Sequence, residues 1–263
     1  MTQKENLDNC LTNWYDLLPV NSKKVKDKKT VDNISDLPLR PARFVEHRLI
    51  TSILDGTYPP GSVLPAERTL AGLIGVTRPT LRESLHRLAG QGWFTICQGK
   101  PTKVNSFWEN GGMGLLSILS KYSDFLPDNF VIHLLEVRST LLPPIARLAA
   151  ANEPQALLGI LEQAKTIEDD AMIFTSFDWN LQISMARYSH NPVYTLILND
   201  FSSMYEMLGS VYFQMEEARK SSRSFYLEMY KNIRSGGKGI ERIVYATMEK
   251  SIDLWKNLKG NNL

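Results

Sequence analysis

The sequence is poor in cysteine. Cys10 and Cys97 are its only thiols, too few for a disulfide framework or a four-cysteine zinc site. It contains no run of about 18 consecutive apolar residues, so no helix of it is expected to span a bilayer. It opens with MTQKENLDNC, without the basic-then-apolar pattern of a secretory signal. Its histidines, His47, His86, His133 and His190, are dispersed and show no helical ligand spacing. It also lacks a glycine-rich phosphate loop, a G-x-S-x-G elbow and a Cys–His pair. The adjacent acids Asp169-Asp170 and Glu216-Glu217 read as solvated pairs rather than a catalytic couple. These absences argue against a secreted disulfide scaffold, a membrane protein and an enzyme. The expectation is a cytoplasmic protein with reduced thiols and no catalytic residues.

Net charge is also scarce, but only in total. The 30 Lys and Arg nearly cancel the 28 Asp and Glu, leaving +2. Residues 1–40 carry 7 basic and 6 acidic side chains, residues 41–105 carry 8 and 4, and residues 106–263 carry 15 and 18. A compact basic segment beside a mildly acidic body suggests a polyanion partner for the first and not for the second. The chain is 43% hydrophobic over 263 residues, enough for real cores and too apolar for disorder throughout.

Residues 1–40 are polar, with the lysine-rich run Ser22–Lys29 and an apolar island at Trp14, Leu17 and Leu18. They read as a flexible extension, the alternative being a DNA-contacting tail or docking motif. From Pro41 the pattern tightens. Phe44, Leu49, Ile50, Ile53 and Leu54 recur at helical spacing, and Asp55-Gly56 with Tyr58-Pro59-Pro60-Gly61 break that helix. A second helix is expected over about 66–74, with Leu70, Leu73 and Ile74 inward and Gly75 as its stop. Thr77 then caps a third helix whose stripe is Leu81, Leu85 and Leu88, with Pro79 in its first turn. Trp93–Cys97 reads as a strand, Gln98-Gly99-Lys100-Pro101 as a turn and Thr102–Val104 as the return strand. Three short helices followed by a basic-tipped hairpin make a winged helix-turn-helix over residues 41–105.

Residues 106–114, SFWENGGMG, read as a glycine-bearing linker. Beyond them the pattern is helical throughout, over about 115–122, 127–151, 153–169, 171–189, 193–214, 218–235 and 239–258. The fold class is therefore mainly α. A winged helix-turn-helix precedes an all-α bundle of about seven helices over residues 115–263, large enough to enclose a ligand cavity.

The third helix carries the chemistry. Its first turn presents Thr77, Arg78, Thr80 and Arg82 away from the leucine stripe. Such a helix can enter a major groove N-terminus first. Arginine can pair bidentately with guanine O6 and N7, while threonine hydroxyls and helix-terminal amides suit phosphate oxygens. Arg68 in the preceding helix can reach the backbone or a base at the groove edge. In the wing, Gly99 permits close approach to a duplex and Lys100 supplies a cation for the minor groove. An isolated arginine would read as ordinary surface. The cluster with a basic wing points to double-stranded DNA.

The stretch Gly61–Thr102, with LPAER, GVTRPTLRESLHRL and GW, resembles the N-terminal domain of the GntR family of bacterial transcription regulators. QGKPTKVNSFWE after the wing, NPVYTLILN at 191–199 and the spacing to Trp255 resemble the acyl-CoA-responsive regulators of fatty acid metabolism within that family. The resemblance covers about Pro41 to Lys259. It implies that Arg68, Thr77, Arg78, Thr80 and Arg82 contact DNA, together with the wing-tip triplet Gln98, Gly99 and Lys100. Two departures bear on operator preference. Gln98 stands where relatives have histidine, so it cannot become a cation, and Pro79 replaces a threonine.

Many members of the family bind a metal through one aspartate and three histidines. Here Asp178 stands at the aspartate position, and Gln182, Tyr226 and Ser251 stand at the histidine positions. Glutamine, tyrosine and serine are poor ligands for zinc-like ions, so no metal is expected. The resemblance implies instead a long-chain acyl-CoA as effector, with Arg138 near the ligand and Tyr205, Tyr212, Met248, Ser251 and Trp255 at or near the pocket wall. Each aromatic taken singly also reads as core packing. An acyl site needs apolar burial, about 0.8 kcal/mol per methylene, and cations for the CoA phosphates. Gln182 replaces an aromatic, Met248 a glycine and Gly260 a lysine; the first puts an amide on the wall and the second could shorten the tunnel. The resemblance further implies a homodimer on a palindromic operator, repressing or activating its genes. The alternatives are a regulator of another pathway, sensing a small carboxylate or no effector, and an architectural DNA-binding protein. The latter would not need the helical domain.

Overall fold

The computed structural model describes residues 41–260. The polar extension, its lysine-rich run and Cys10 lie outside the described residues. The chain divides into two compact units at Pro127/Asp128.

The first unit opens with α1 (Pro41–Leu54), which buries Val45, Leu49, Ile50, Ile53 and Leu54. Phe44 was expected inward but is 39% exposed. The stripe runs through Val45, Leu49 and Ile53 at four-residue spacing, which turns the neighbouring position outward. Next comes α2 (Glu67–Ile74), burying only Leu70 and Ala71. Leu73, also expected inward, is 69% exposed. A two-turn helix has one narrow inner face, and Leu70 and Ala71 fill it. Gly75 ends the helix in the left-handed region at φ 83°, its N–H returning to Ala71 O. After one further residue, Thr77 caps α3 (Arg78–Gly90), accepting from Thr80 N. Leu81, Ser84, Leu85 and Leu88 form its buried face. Ser84 Oγ donates to Ala42 O at 3.1 Å, tying α3 to α1.

The wing is shorter than its sequence suggests. β1 (Phe94–Thr95) pairs antiparallel with β2 (Lys103–Val104), Phe94 opposite Val104. The extended residues after Gly61 complete the sheet on the other side of β2, with Val63 bridging Lys103 and Leu64 N donating to Thr102 O. The expected linker is partly helical. Phe107 opens α4 (Phe107–Asn110) and packs on the buried Trp93, the rings tilted by 34° with centroids 5.0 Å apart. Gly92 makes this possible. Its φ is 92°, and a Cβ there would lie 2.4 Å from Asn110 O. α5 (Leu115–Leu119) and a 3₁₀ segment (Ser120–Phe125) close the unit. By their packing, residues 115–127 group with the first unit.

The second unit is helical throughout its described residues. It contains α6 (Phe130–Asn152), α7 (Pro154–Gln163), a 3₁₀ turn (Ala164–Thr166), α8 (Ala171–Tyr188), α9 (Pro192–Tyr212), α10 (Glu216–Arg234) and α11 (Ile240–Gly260). Breakers and caps set the joints. Asp170 Oδ1 accepts from Met172 N and Ile173 N, and Asn191 Oδ1 accepts from Val193 N. The core gathers Leu142 and Ile145 of α6, Phe174 and Leu181 of α8, Tyr226 of α10 and Val244 of α11, none more than marginally exposed. No described helix is long and apolar enough to cross a membrane.

Candidate DNA interface and ligand pocket

The first site lies on α3 and the wing. Arg78 and Arg82 sit four residues apart, so they share one helix face, and both are exposed. Thr77 is exposed and Thr80 half-buried, their hydroxyls 2.9 Å apart. Arg68 on α2 is exposed as well. At the wing tip Lys100 N donates to Cys97 O at 3.2 Å, closing a turn around Gly99 at φ 73°. Gln98, Gly99 and Lys100 all face solvent. Among the described residues, Arg68, Arg78, Arg82 and Lys100 form no ion pair. Arg87, one turn beyond Arg82, makes the contrast plain: it pairs with Glu46 at 2.7 Å and with Glu83 at 3.5 Å. The arginines at the leading end of α3 are therefore left with their full charge, and the one at its trailing end is spent on the fold. Sequence reasoning passed over Lys103, exposed on β2 in the same hairpin. Its alternation with buried Val104 was the available signal.

Elsewhere in the first unit, His47 Nδ1 lies 3.1 Å from Tyr122 Oη, the two rings stacked at 5.5 Å. Burial, reinforced by Arg48, holds the imidazole below its ordinary pKa. Burial and the charge of Glu46 push the Tyr122 phenol up to about 12.

The second site is a pocket inside the helical unit, walled by α6, α8, α9 and α11. Leu135 and Leu142, Leu198 and Leu208, and Trp179 supply much of its surface. It encloses about 70 Å³. Of the six positions expected at an effector site, Arg138, Tyr205, Tyr212, Ser251 and Trp255 line it. Met248 does not. It is buried nearby, and Arg138 Nε donates to its sulfur at 3.0 Å. The half-buried Arg138 guanidinium also lies 5.8 Å from the Tyr205 ring centroid. No carboxylate pairs with it among the described residues.

Behind the wall is a buried carboxylate. Asp178 is 4% exposed. Its Oδ1 accepts from Tyr226 Oη at 2.7 Å. Its Oδ2 accepts from Tyr205 Oη and from Gln182 Nε2, the latter at 2.6 Å. Burial and the Asp178 charge raise both phenols well above the ordinary tyrosine pKa, so both stay protonated as donors. Three of the four positions compared with the metal-binding pattern thus form one hydrogen-bonded cluster. Ser251 stands apart, its Oγ donating to Thr247 O at 2.9 Å. No cluster of three or more His, Cys, Asp or Glu among the described residues could hold a metal. Sequence reasoning saw Asp178 as a lone remnant and missed it as a hub. The signal was the four-residue spacing from Asp178 to Gln182, which puts both on one face of α8.

The comparisons with known proteins match both parts of the chain. Residues 41–104 match the profile of bacterial regulatory proteins of the gntR family, and residues 105–262 match the FadR C-terminal domain. The fatty acid metabolism regulator protein of Yersinia enterocolitica is 45% identical over 186 residues, covering 71% of this chain and 78% of that one. The chain belongs to the GntR family, among its fatty acid metabolism regulators. The protein of the same name from Yersinia pestis matches to the same extent. A solved structure associated with Lar, which controls expression of the Listeria monocytogenes agr system, shares the fold. It has a TM-score of 0.56 and 16% identity, covering 84% of this chain and 98% of that one. Like its family, this regulator is a DNA-binding transcription factor and not an enzyme.

Proposed function

We propose that this regulator acts in the cytoplasm as a homodimer on a palindromic operator of fatty acid metabolism genes, and that long-chain acyl-CoA in its helical pocket releases it. The observation that carries the DNA reading is the unpaired charge of Arg78 and Arg82 on one exposed face of a capped helix. Arg78 and Arg82 read base edges in the major groove, with Thr77, Thr80 and Arg68 holding phosphates. Gln98, Gly99 and Lys100 enter the adjacent minor groove. A two-fold dimer places two such helices on half-sites about one helical turn, or a multiple of it, apart.

For the effector, the pocket offers an apolar interior and a guanidinium without an acidic partner. Arg138 meets the oxygen-rich head of the thioester ligand, and Leu135, Leu198 and Leu208 take its chain. The enclosed space is about 70 Å³. This is about half of the ~150 Å³ cavity that accommodates a benzene ring. A long chain therefore enters only as the helices part, which links occupancy to a change of bundle conformation. A ligand releases the operator only through different affinity for the two conformations. The small volume also favours a second reading, a short carboxylate held by Arg138.

A gel shift of an operator-length duplex decides between them. Loss of the shifted band on adding oleoyl-CoA supports the acyl-CoA reading. Indifference to oleoyl-CoA with loss on adding a short-chain carboxylate supports the second.

A further inference from the structure

Arg138 is held in place without being neutralised. Among the described residues its guanidinium makes one hydrogen bond, from Nε to Met248 Sδ at 3.0 Å, and no ion pair. The Tyr205 ring lies under it, with the centroid 5.8 Å away. Neither contact brings a negative charge. Met248 is 3% exposed and does not line the pocket, whereas Arg138 does. Met248 therefore reaches the pocket through Arg138. It stands three residues before Ser251 and seven before Trp255, so the three share one face of α11.

A thioether is a neutral and weak acceptor on a flexible, unbranched stem that adapts to its neighbour. It takes the Nε–H and leaves the positive charge and both terminal amino groups to an occupant. A carboxylate in its place would orient the guanidinium equally well but spend its charge, as Glu46 does at Arg87. A leucine would spend no charge but offer no acceptor, and the long arginine would keep its rotamer freedom. A ligand would then have to order that side chain itself, which costs affinity.

Building on the reading of Arg138 as the contact for the ligand's head, we infer that Met248 is a positioning residue for the effector. Its sulfur fixes Arg138 by Nε, so that the two terminal amino groups meet the oxygen atoms of the head.

Two measurements on the full chain test this. The first needs no ligand. The Arg138 Nε–H signal in nuclear magnetic resonance, assigned by its disappearance in Arg138→Lys, should show the heteronuclear NOE of an immobile group. In Met248→Leu, a swap of similar volume without the acceptor, that NOE should drop. The second is calorimetric titration with hexadecanoyl-CoA. Met248→Leu should bind it about two- to twelvefold more weakly, the cost of ordering one long side chain. In an Arg138→Met background the same substitution should change nothing, whereas a merely structural Met248 would weaken binding in both backgrounds. A mobile Nε–H in the wild type, an NOE or an affinity unchanged in Met248→Leu, or a loss that persists without Arg138 overturns the inference and leaves the thioester reading standing. Should Met248→Leu not fold, the wild-type NOE decides alone. If the wild type does not bind hexadecanoyl-CoA, the thioester reading falls and butyrate, a short carboxylate, takes its place in the same titrations. Binding of neither overturns both.

Discussion

The two sites treat charge in opposite ways. On α3 and the wing, Arg78, Arg82 and Lys100 stand in water without an ion pair among the described residues. In the helical unit, Asp178 is buried and surrounded by Tyr226, Tyr205 and Gln182. The difference follows from what surrounds each charge. A polyanion supplies its own counter-charge, so the protein leaves its cations uncommitted and lets released counterions drive binding. An apolar pocket wall supplies none, so a carboxylate beside it must be neutralised by donors from the protein itself. Arg87 shows that exposure alone does not make a DNA contact. It lies on the same helix yet is already held by Glu46 and Glu83.

The sharpest way to break this contrast is on α3. Arg78→Ala should weaken operator binding by roughly 5- to 150-fold, the cost of one bidentate base contact, and flatten the preference over unrelated duplex. Arg87→Ala should leave that preference intact, because its charge is spent inside the unit. A gel shift at fixed salt, with operator and scrambled duplex, measures both. If the two variants behave alike, the division between free and committed arginines is wrong.

The next effect tests the buried side. Tyr226→Phe keeps the ring and deletes the donor to Asp178 Oδ1. The carboxylate is then left short of one buried partner, a cost of about 1–3 kcal/mol. The thermal midpoint should fall by several degrees. Operator affinity measured well below that midpoint should not change. A Tyr226→Phe protein as stable as wild type would mean that Asp178 is satisfied without the phenol.

A smaller effect concerns pH. The folded chain holds His47 below its ordinary pKa of 6.5 through burial and Arg48. Below that ordinary value the unfolded chain binds a proton that the folded chain resists. Stability is therefore full above about pH 6.5 and declines as the pH falls through it toward the depressed folded value. Urea midpoints at pH 7.5 and 5.5 should differ in this direction, and the difference should shrink in His47→Asn.

Much of this was legible in the residues. Thr77, Pro79 and Gly75 fixed both ends of the turn between α2 and α3, because caps and left-handed stops are local and need no partner. The leucine stripe of α3 followed from spacing alone. What escaped was set at a distance. Phe44 and Leu73 were placed inward by their apolarity, but Val45 and Ala71 took the inner positions. The glycine-bearing segment after the wing gave no sign that Phe107 would pack on Trp93 or that Asn110 would press on Gly92. In the pocket, single positions such as Arg138 and Trp255 were visible through resemblance. The cluster around Asp178 was not, since it joins residues 48 positions apart on α8 and α10.

The smallest effect refines the exposed side. Lys100 and Lys103 stand on the same hairpin, one at the tip and one on the strand, and both face water. A cation that meets phosphate contributes affinity without sequence preference, and its removal lowers the slope of log K against log salt by about 0.9. Lys100→Ala should show that loss, with operator and scrambled duplex weakened equally, because a point charge on a flexible stem neutralises backbone better than it reads bases. Unequal weakening would instead place Lys100 on base edges in the minor groove and make the wing a reader. Lys103→Ala completes the comparison. It should lower the slope by a like amount only if the duplex wraps as far as β2, so the pair of slopes measures how much of the wing the DNA covers.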